Sequence, residues 1–238
     1  MLAGSRARCN TFPMSVSVLD REMFTEAEAA RLLRVPQRTL NYWLEGGEVR
    51  GRVYRPVIRT EPRGGHAAVT WAEFVEAGLL REYRQTHRIP MAELRAFIDQ
   101  VRGEFGVPYP LADQRPFISG KELLSVAQDA AGLDPGLCLV ATVRGQYVLT
   151  PAADAFYKRV TWEGDEPAAW RPHDDPLSPV LMRPGLRAGR PAVKGISTDI
   201  LWEHEQSGET IGEIAGEYGL SDEDVRWAIA YETSARAA

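Results

Sequence analysis

The sequence contains little cysteine, and common catalytic motifs are missing from it. Its 238 residues include two cysteines, Cys9 and Cys138, which do not form a CxxC pair. That pattern argues against a disulfide framework and against a cysteine-based zinc site. GxSxG, Walker A, GxGxxG and HExxH patterns are also absent, so no catalytic residue and no cofactor is predicted. We therefore expect a protein that is not an enzyme.

Long apolar runs are absent as well. No stretch approaches the roughly 20 apolar residues that a membrane-spanning helix needs, and the N-terminus lacks the order of segments found in a signal peptide. The apolar fraction of 44% and the aromatic fraction of 9% are typical of a globular protein. These features predict a cytoplasmic protein with no membrane partner.

Metal-ligating residues are sparse. The nearest candidate for a metal site is the run His173-Asp174-Asp175, which could bind a metal ion. Prolines on both sides of it favour a solvated linker instead. No metal site is predicted.

Charge is unevenly distributed along the chain, although the formal net charge is only −5. Residues 50–63 contain five arginines and one acid, and residues 177–196 contain four cationic residues and no acid. From residue 197 to the end, ten acids face two arginines, a formal charge of −8. The two basic segments and the acidic end indicate different partners for different parts of the chain.

Residues 24–47, with the sequence FTEAEAARLLRVPQRTLNYWLEGG, predict a helix-turn-helix. Thr25 and Glu28 have the spacing of a capping box, so a helix should begin just after Thr25. Pro36 should end this helix, because the residue before a proline disfavours the α-helical conformation. A second helix should follow and end at a pair of glycines. A helical hairpin within a core is the alternative interpretation.

The second helix and the segment after it carry side chains suited to nucleic acid. Arginine, asparagine and tyrosine can contact phosphates and the base edges of a major groove. Residues 52–59 and 67–70 are β-prone and predict a hairpin, or wing, with a basic tip. The predicted DNA-binding residues are Arg38, Thr39, Asn41, Tyr42, Arg50, Arg52, Arg55, Arg59 and Arg63.

Residues 25–105 resemble the winged helix-turn-helix of the MerR family. The resemblance rests on FTEAEAARLLRVPQRTLNYW, on the wing, and on the two following helices, VTWAEFVEAGLLREYR and IPMAELRAFI. It implies DNA binding and transcription regulation. The family usually has arginine where this chain has Asn41, and an arginine in the second wing strand where this chain has Ala67 and Ala68.

The fold class predicted from these patterns is mainly α with small β elements (α+β). In residues 111–176, Ser119 and Glu122 predict a capping box that opens a helix, and two short strands predict a hairpin around Arg144. Trp162 and Trp170 flank a stretch that is expected to be an acidic, proline-containing loop. The predicted divisions are a tail at 1–20, a winged helix-turn-helix at 21–110, a mixed middle module at 111–176, and a three-helix helix-turn-helix domain at 177–238.

The C-terminal segment repeats the opening motif at an offset of 185 residues. The aligned pairs include Ala30 with Ala215, Val35 with Leu220, Thr39 with Asp224, Leu40 with Val225, Tyr42 with Trp227, and Leu44 with Ile229. Capping boxes predict helices that begin after Thr210 and after Ser221. The second unit is expected to present Asp222, Glu223, Asp224 and Glu232, which phosphates repel. It is therefore predicted to bind protein.

Residues 179–231 also resemble a widespread prokaryotic family of short domains of unknown function that occurs as, or within, antitoxins. The shared pattern is Gly-Arg-Pro-x-x-x-Gly, then a helix, then I-x-E-I-A-x-x-Y-x-L-x-x-x-D-V, and it stands here between Gly189 and Val225. With its MerR-like N-terminus, the chain resembles an atypical VapB-type antitoxin. That resemblance implies a PIN-like ribonuclease toxin as partner, repression through operator DNA, and a homodimer.

Two sets of residues are candidates for protein contacts within that resemblance. A PIN-type nuclease holds Mg²⁺ on carboxylates, and arginine is a planar bidentate donor for carboxylates. The predicted toxin-binding residues are Arg183, Arg187 and Arg190, unless these arginines face solvent or pair with the acidic helices. The predicted dimer or partner interface consists of Trp202, Ile211, Ile214, Val225 and Trp227.

Two other functions stay open at this point. One is a MerR-like transcription regulator whose middle module binds a small ligand. The other is an interaction adaptor that has lost DNA binding, suggested by Asn41, Ala67 and Ala68.

Overall fold

The structure is a computed structural model that describes residues 17–65, 67–86, 91–133, 138–144, 146–173 and 175–237. This part of the chain is mainly α-helical with small antiparallel β elements, which confirms the predicted fold class. The helices are α1 (Glu26–Leu33), α2 (Gln37–Glu45), α3 (Trp71–Thr86), α4 (Met91–Phe105), α5 (Arg115–Ile118), α6 (Lys121–Ala130), α7 (Pro151–Arg159), α8 (Thr198–Gln206), α9 (Ile211–Tyr218) and α10 (Asp222–Arg236). The strands are β1 (Glu22–Phe24), β2 (Gly47–Val49), β3 (Arg52–Tyr54), β4 (Val69–Thr70), β5 (Val140–Val143), β6 (Gln146–Leu149), β7 (Val160–Glu163), β8 (Glu166–Trp170), β9 (Ala192–Val193) and β10 (Ile196–Ser197). Within the described ranges, no helix has both the length and the apolarity needed to cross a membrane.

Helices α1 and α2 form the first helix-turn-helix, called here the front unit. The Thr25 hydroxyl accepts a hydrogen bond from the backbone N–H of Glu28 at 3.2 Å, and the Glu28 carboxylate accepts one from the backbone N–H of Thr25. Arg34 then adopts a left-handed conformation with φ of 53°, which ends α1. Leu40 and Trp43 on α2 are fully buried. The predicted capping box and the start of α1 are confirmed.

The wing differs from the predicted hairpin. Strand β3 pairs with β2, with Val49 opposite Arg52, while β4 pairs with β1. Arg50 and Gly51 between β2 and β3 have φ of 54° and 75°. Two positive φ angles in a two-residue turn match the twist of antiparallel strands. The chain therefore closes a tight hairpin directly after α2, and the prediction that residues 52–59 pair with 67–70 was wrong.

The middle segment packs against the front unit. Its side chains Phe117, Phe156 and Trp170 belong to the same buried core as Phe24 and Trp43. The Trp170 ring meets the ring of Phe74, on α3, edge to face at a centroid distance of 5.1 Å. Burial of these aromatic side chains supplies much of the hydrophobic stabilisation of this core.

Two local predictions in the middle segment were wrong. The predicted capping box at Ser119 does not form, because α5 continues to Ile118 and the Ser119 hydroxyl donates back to the carbonyl of Arg115. Gly120 occupies the N-cap of α6 without a side-chain cap. Residues 160–170, expected to be an acidic loop between two tryptophans, form the β7–β8 hairpin. The hairpin predicted around Arg144 is confirmed as β5–β6.

Helices α9 and α10 form the second helix-turn-helix, called here the rear unit, and it reproduces the front unit. Both of its helices begin 185 positions after α1 and α2, and capping boxes open both. The turn between the two helices has the same geometry in both units. Gly219 adopts φ of 65° where Arg34 adopts 53°. The Leu220 backbone N–H donates to the carbonyl of Ala215 at 2.9 Å, and the Val35 backbone N–H donates to the carbonyl of Ala30 at 3.0 Å. The predicted repeat is confirmed at the level of backbone geometry.

The rear unit has its own small core, which includes Val193, Leu201 and Tyr231. It is fixed to the front unit through the segment that carries the Gly-Arg-Pro sequence. Gly189 has φ of 76°, and a Cβ there would lie 2.7 Å from Met23 Cε and 2.8 Å from Phe24 Cζ. Only glycine permits this close approach. The division of the chain into the four predicted parts stays a prediction.

Candidate nucleic-acid and protein interfaces

Helix α2, the second helix of the front unit, carries an exposed cation with no partner among the described residues. The Arg38 side chain makes no hydrogen bond or ion pair within the described part of the chain. Thr39 beside it is partly buried. Arg38 lies in the first turn of α2, where the residues of a helix-turn-helix that read base edges are placed. Its guanidinium is therefore available to a phosphate or a base.

Two other predicted DNA-binding residues of α2 have partners inside the protein. The Asn41 amide donates to both oxygens of Glu26, at 3.1 and 3.2 Å, and thereby ties α2 to α1. The Tyr42 hydroxyl accepts a hydrogen bond from Arg95 on α4 at 3.0 Å. The Arg95 guanidinium also lies 5.6 Å from the Tyr42 ring centroid and 5.5 Å from that of Tyr54. These contacts hold the wing beside α2, and no sequence motif had singled out Arg95.

The predicted wing arginines separate into two groups. Arg50, Arg52 and Arg55 are exposed and make no side-chain hydrogen bond or ion pair with any described residue. Together with Arg38 they are called here the front basic surface. Four exposed cations, on α2, on the β2–β3 hairpin and directly after that hairpin, are suited to phosphate contacts.

Arg59 and Arg63 belong to an ion network inside the protein. Arg59 is only 4% exposed, and its guanidinium donates to Glu73 at 2.8 and 3.0 Å and also to Glu45. Arg63 contacts Glu73 at 3.2 Å and donates to the Tyr109 hydroxyl at 3.3 Å. Their guanidinium groups neutralise a buried carboxylate. The structure therefore places both residues apart from the front basic surface, a distinction that charge in the sequence cannot make.

A second buried acid, Glu76, lies one turn further along α3. It is fully buried, and one of its carboxylate oxygens accepts the Leu111 backbone N–H at 2.8 Å. The other oxygen has no hydrogen-bond partner. Burial raises the pKa of Glu76 to about 8, because desolvation disfavours the charged form. This carboxyl group is therefore largely protonated near neutral pH.

The three arginines predicted to bind a toxin do not form one cluster. Arg183 is exposed and lies beside Leu181, Leu186 and Lys194 along a groove of about 560 Å³. Arg187 donates to the carbonyl of Gly195 at 3.1 Å. Arg190 pairs with Glu28 of the front unit at 3.2 Å and so contributes to the joint between the two units. Of the three, Arg183 is the one with no side-chain partner in the described part of the chain.

The apolar residues predicted as an interface also divide. Ile214 and Val225 are 0% exposed and form the core of the rear unit, so they are not available to a partner. Ile211, Trp202 and Trp227 are partly buried. The Arg236 guanidinium lies 3.9 Å from the Trp202 ring centroid.

Equivalent exposed positions on α2 and α10 carry opposite charges. The position of Arg38 on α2 corresponds to the exposed Glu223 on α10. Two other acids expected on the surface are in fact buried. Asp224, 7% exposed, accepts from Lys194 at 2.7 Å, and Glu232, 5% exposed, accepts from the Thr198 hydroxyl at 2.6 Å. That part of the prediction was wrong, because both carboxylates serve the unit's own hydrogen bonding.

His204, Glu209 and Glu217 form the one group of three potential metal ligands found among the described residues. Both ring nitrogens of His204 are already engaged, Nδ1 with Glu209 at 2.7 Å and Nε2 with the Tyr218 hydroxyl at 2.8 Å. The hydrogen bond to Glu209 raises the pKa of His204. The ring thus connects α8 to α9.

The run His173-Asp174-Asp175 was the metal candidate considered from the sequence. His173 Nδ1 accepts a hydrogen bond from the Asp175 backbone N–H at 3.0 Å, and Asp174 lies outside the described residues.

Comparison with known proteins gives a relative of nearly the same length. The chain is 33% identical over 239 residues to the uncharacterized protein Rv2308 of Mycobacterium tuberculosis, with 94% of this chain and 96% of that protein covered. The chain belongs to the Rv2308 family. A second member of the comparison, the putative antitoxin VapB45 of the same organism, is 27% identical over 229 residues, covering 88% of this chain and 93% of that protein.

Two further comparisons concern domains and fold. Residues 181–231 match the model of a protein family of unknown function, DUF433. This match confirms the C-terminal resemblance to a family of unknown function. The crystal structure of Rv2018 from Mycobacterium tuberculosis has a similar fold, with a TM-score of 0.70 and 24% identity over 89% of this chain and 99% of that one.

Proposed function

We propose that this chain is the antitoxin of a type II toxin-antitoxin pair, which binds its own operator DNA and neutralises a PIN-like ribonuclease toxin. The observation that carries the proposal is the repeat of one helix-turn-helix geometry with opposite charges on its exposed faces. The similarity to a protein named putative antitoxin VapB45, and the C-terminal match to the family of unknown function, support it. The proposed role is regulatory and not catalytic.

In the proposed DNA complex, the MerR-like front unit contacts the duplex. Helix α2 enters the major groove with Arg38 towards the bases, and Arg50, Arg52 and Arg55 of the wing segment contact phosphates. The contacts of Asn41 and Tyr42 inside the protein hold α2 and the wing in position. A homodimer would place two such helices on successive half-sites, about 34 Å apart along the DNA.

In the proposed toxin complex, the C-terminal third makes the contacts. Arg183 is the best placed of the predicted toxin-binding arginines, because its guanidinium is exposed and the apolar side chains of Leu181 and Leu186 border the same groove. A carboxylate cluster would accept a bidentate hydrogen bond from it. Arg190 is less suited, because it already pairs with Glu28.

The DNA part is tested by measuring the affinity of the full chain for a duplex carrying the promoter region upstream of its own gene. Arg38→Ala should weaken binding at least about tenfold and should reduce the salt dependence by about one phosphate contact. Arg144→Ala, which removes an exposed arginine at the tip of the β5–β6 hairpin, is the matched control and should bind as the wild type does. Equal affinity of the Arg38→Ala variant would remove α2 from the DNA interface.

The toxin part is tested by co-expression with the product of the adjacent small reading frame. The two proteins should co-purify, and growth arrest caused by the second should be relieved. Arg183→Glu should reduce both effects, while Arg144→Glu should leave both unchanged. Full relief by the Arg183→Glu variant would remove this arginine from the interface, and failure of the wild-type chain to bind or to protect would contradict the antitoxin role.

A MerR-like regulator that responds to a small ligand is the second candidate, and one observation favours it. A cavity of about 210 Å³ lies between the two units, and its lining includes three arginines and three acids, Arg31, Arg190, Arg236, Asp199, Glu203 and Glu232. A ligand that carries groups of both charges would match this lining. A library of small zwitterionic compounds tested by thermal shift, with loss of the shift in Arg31→Ala, separates this function from the antitoxin role.

A further inference from the structure

Helix α10 has a shallow apolar groove on its exposed face. Glu223, Arg226, Trp227 and Ala230 line it, and its volume is about 320 Å³. Trp227 is partly buried, and its ring meets that of His173 edge to face at a centroid distance of 5.4 Å, so one side of the indole is held in place. A fixed aromatic side chain next to a small residue offers a preformed pocket for one side chain of a partner.

The position of this groove in the repeat identifies it as an altered recognition face. With the offset of 185 residues, its four lining residues are the equivalents of Arg38, Asn41, Tyr42 and Glu45 on α2. In the front unit, Tyr42 is covered by Arg95 and by the wing. Among the contacts described for the rear unit, Trp227 has no such cover from a wing, and Ala230 replaces the long side chain of Glu45.

The charge around the groove selects the partner. Glu223 is exposed and makes no ion pair with a described residue, and Arg226, the one cation in the lining, contacts Asp222 at 3.4 Å. Asp222, the residue before Glu223 in α10, is exposed as well. This surface repels phosphate and attracts cations, and an indole ring also binds guanidinium and ammonium groups.

We propose that the α10 groove is a docking site for a basic segment of the toxin, in which an arginine or lysine stem lies against Trp227 and its charged end meets Glu223. This inference rests on the proposed antitoxin function. It gives the C-terminal third two contacts of opposite sign, Arg183 for acidic groups of the toxin and the α10 groove for basic ones. Complementary charges of both signs fix the register of a complex and suppress wrong partners.

The test uses the full-length chain and the purified toxin and measures Kd by isothermal titration calorimetry. Glu223→Arg should weaken binding at least about tenfold, the range expected when a close opposite charge becomes a like charge. Ala230→Arg, which fills the groove, should have a similar effect. Glu205→Arg, which makes the same charge change on α8, is the control and should stay within about twofold of the wild type. An affinity for promoter DNA equal to that of the wild type shows that each variant is folded.

The outcomes separate the groove from the proposed function. If the wild type binds the toxin and both groove variants bind equally well, the docking site is wrong while the antitoxin role stands. If the wild type does not bind the toxin, both proposals are contradicted. If the groove variants change the oligomeric state measured by light scattering and leave toxin affinity unchanged, the groove contacts a second copy of this chain, which also overturns the proposal.

Discussion

The buried Glu76 makes the stability of this protein depend on pH in a way that one substitution can isolate. Its pKa is raised from 4.5 to about 8 in the folded protein, so the folded state holds this proton more tightly than the unfolded chain does. Stability should therefore be highest below the unfolded pKa and should fall as pH rises towards 8. With these two pKa values, Glu76 alone lowers the free energy of unfolding by about 3 kcal/mol between pH 5 and pH 8.

Glu76→Gln removes the titration and keeps a carbonyl oxygen that can accept the Leu111 N–H. The assay is urea denaturation of both proteins at several pH values across that range, because the linear extrapolation gives the free energy of unfolding at each pH. The free energy of unfolding of the variant, relative to that of the wild type, should grow by about 3 kcal/mol as pH rises. The contributions of the other titrating groups are the same in both proteins and cancel in this difference. Two curves that stay parallel across the range would refute the reasoning.

Three further predictions concern the network, the α8–α9 contact and the joint between the units. Arg59→Met removes the guanidinium that donates to the buried Glu73 and to Glu45 and leaves Glu73 with Arg63. It should lower the free energy of unfolding by about 3 kcal/mol in urea denaturation; a loss below about 1 kcal/mol would contradict this. The pKa of the His204 imidazole, measured by NMR, should lie above 6.5 and should return towards 6.5 in Glu209→Gln. The stabilisation from this contact is therefore complete below pH 6.5 and is lost as pH rises through the raised pKa. An unchanged pKa in the variant would show that the Glu209 carboxylate is not the cause. Gly189→Ala should lower the melting temperature far more than Gly185→Ala. A Cβ at position 189 would lie 2.8 Å from Phe24 Cζ, whereas a Cβ at position 185 would have no atom within 4 Å.

The helices of both units could be predicted from the sequence because their signals are local. A capping box needs only the correct spacing of residues such as Thr210 and Glu213, and the turns are marked by Gly219 or by the residues before Pro36. The repeat at 185 residues followed from aligned apolar positions. Surface charge in the rear unit could be predicted only in part, since nothing near Asp224 in sequence indicates that Lys194 pairs with it.

Strand pairing and the partners of arginines could not be predicted, because both depend on contacts distant in sequence. The wing arginines looked alike in the sequence, yet Arg59 packs against Glu73 while Arg55 stays exposed. Likewise Arg190 and Arg183 share one basic stretch, and only the packing of the rear unit on α1 distinguishes them. The groove on α10 could not be predicted either, because it depends on the ring contact between Trp227 and the distant His173.

The central claim is that the front unit binds DNA and the rear unit binds protein. Residues 38 and 223 occupy equivalent positions in the repeat, so they permit a matched reversal of charge. The decisive measurement is the affinity of the full chain for its own promoter DNA, at one fixed salt concentration, in the wild type, in Arg38→Glu and in Glu223→Arg. The account predicts that Arg38→Glu loses at least about tenfold in affinity and that Glu223→Arg binds as tightly as the wild type or slightly more tightly. Retained binding by Arg38→Glu, or loss of binding in Glu223→Arg, would contradict it.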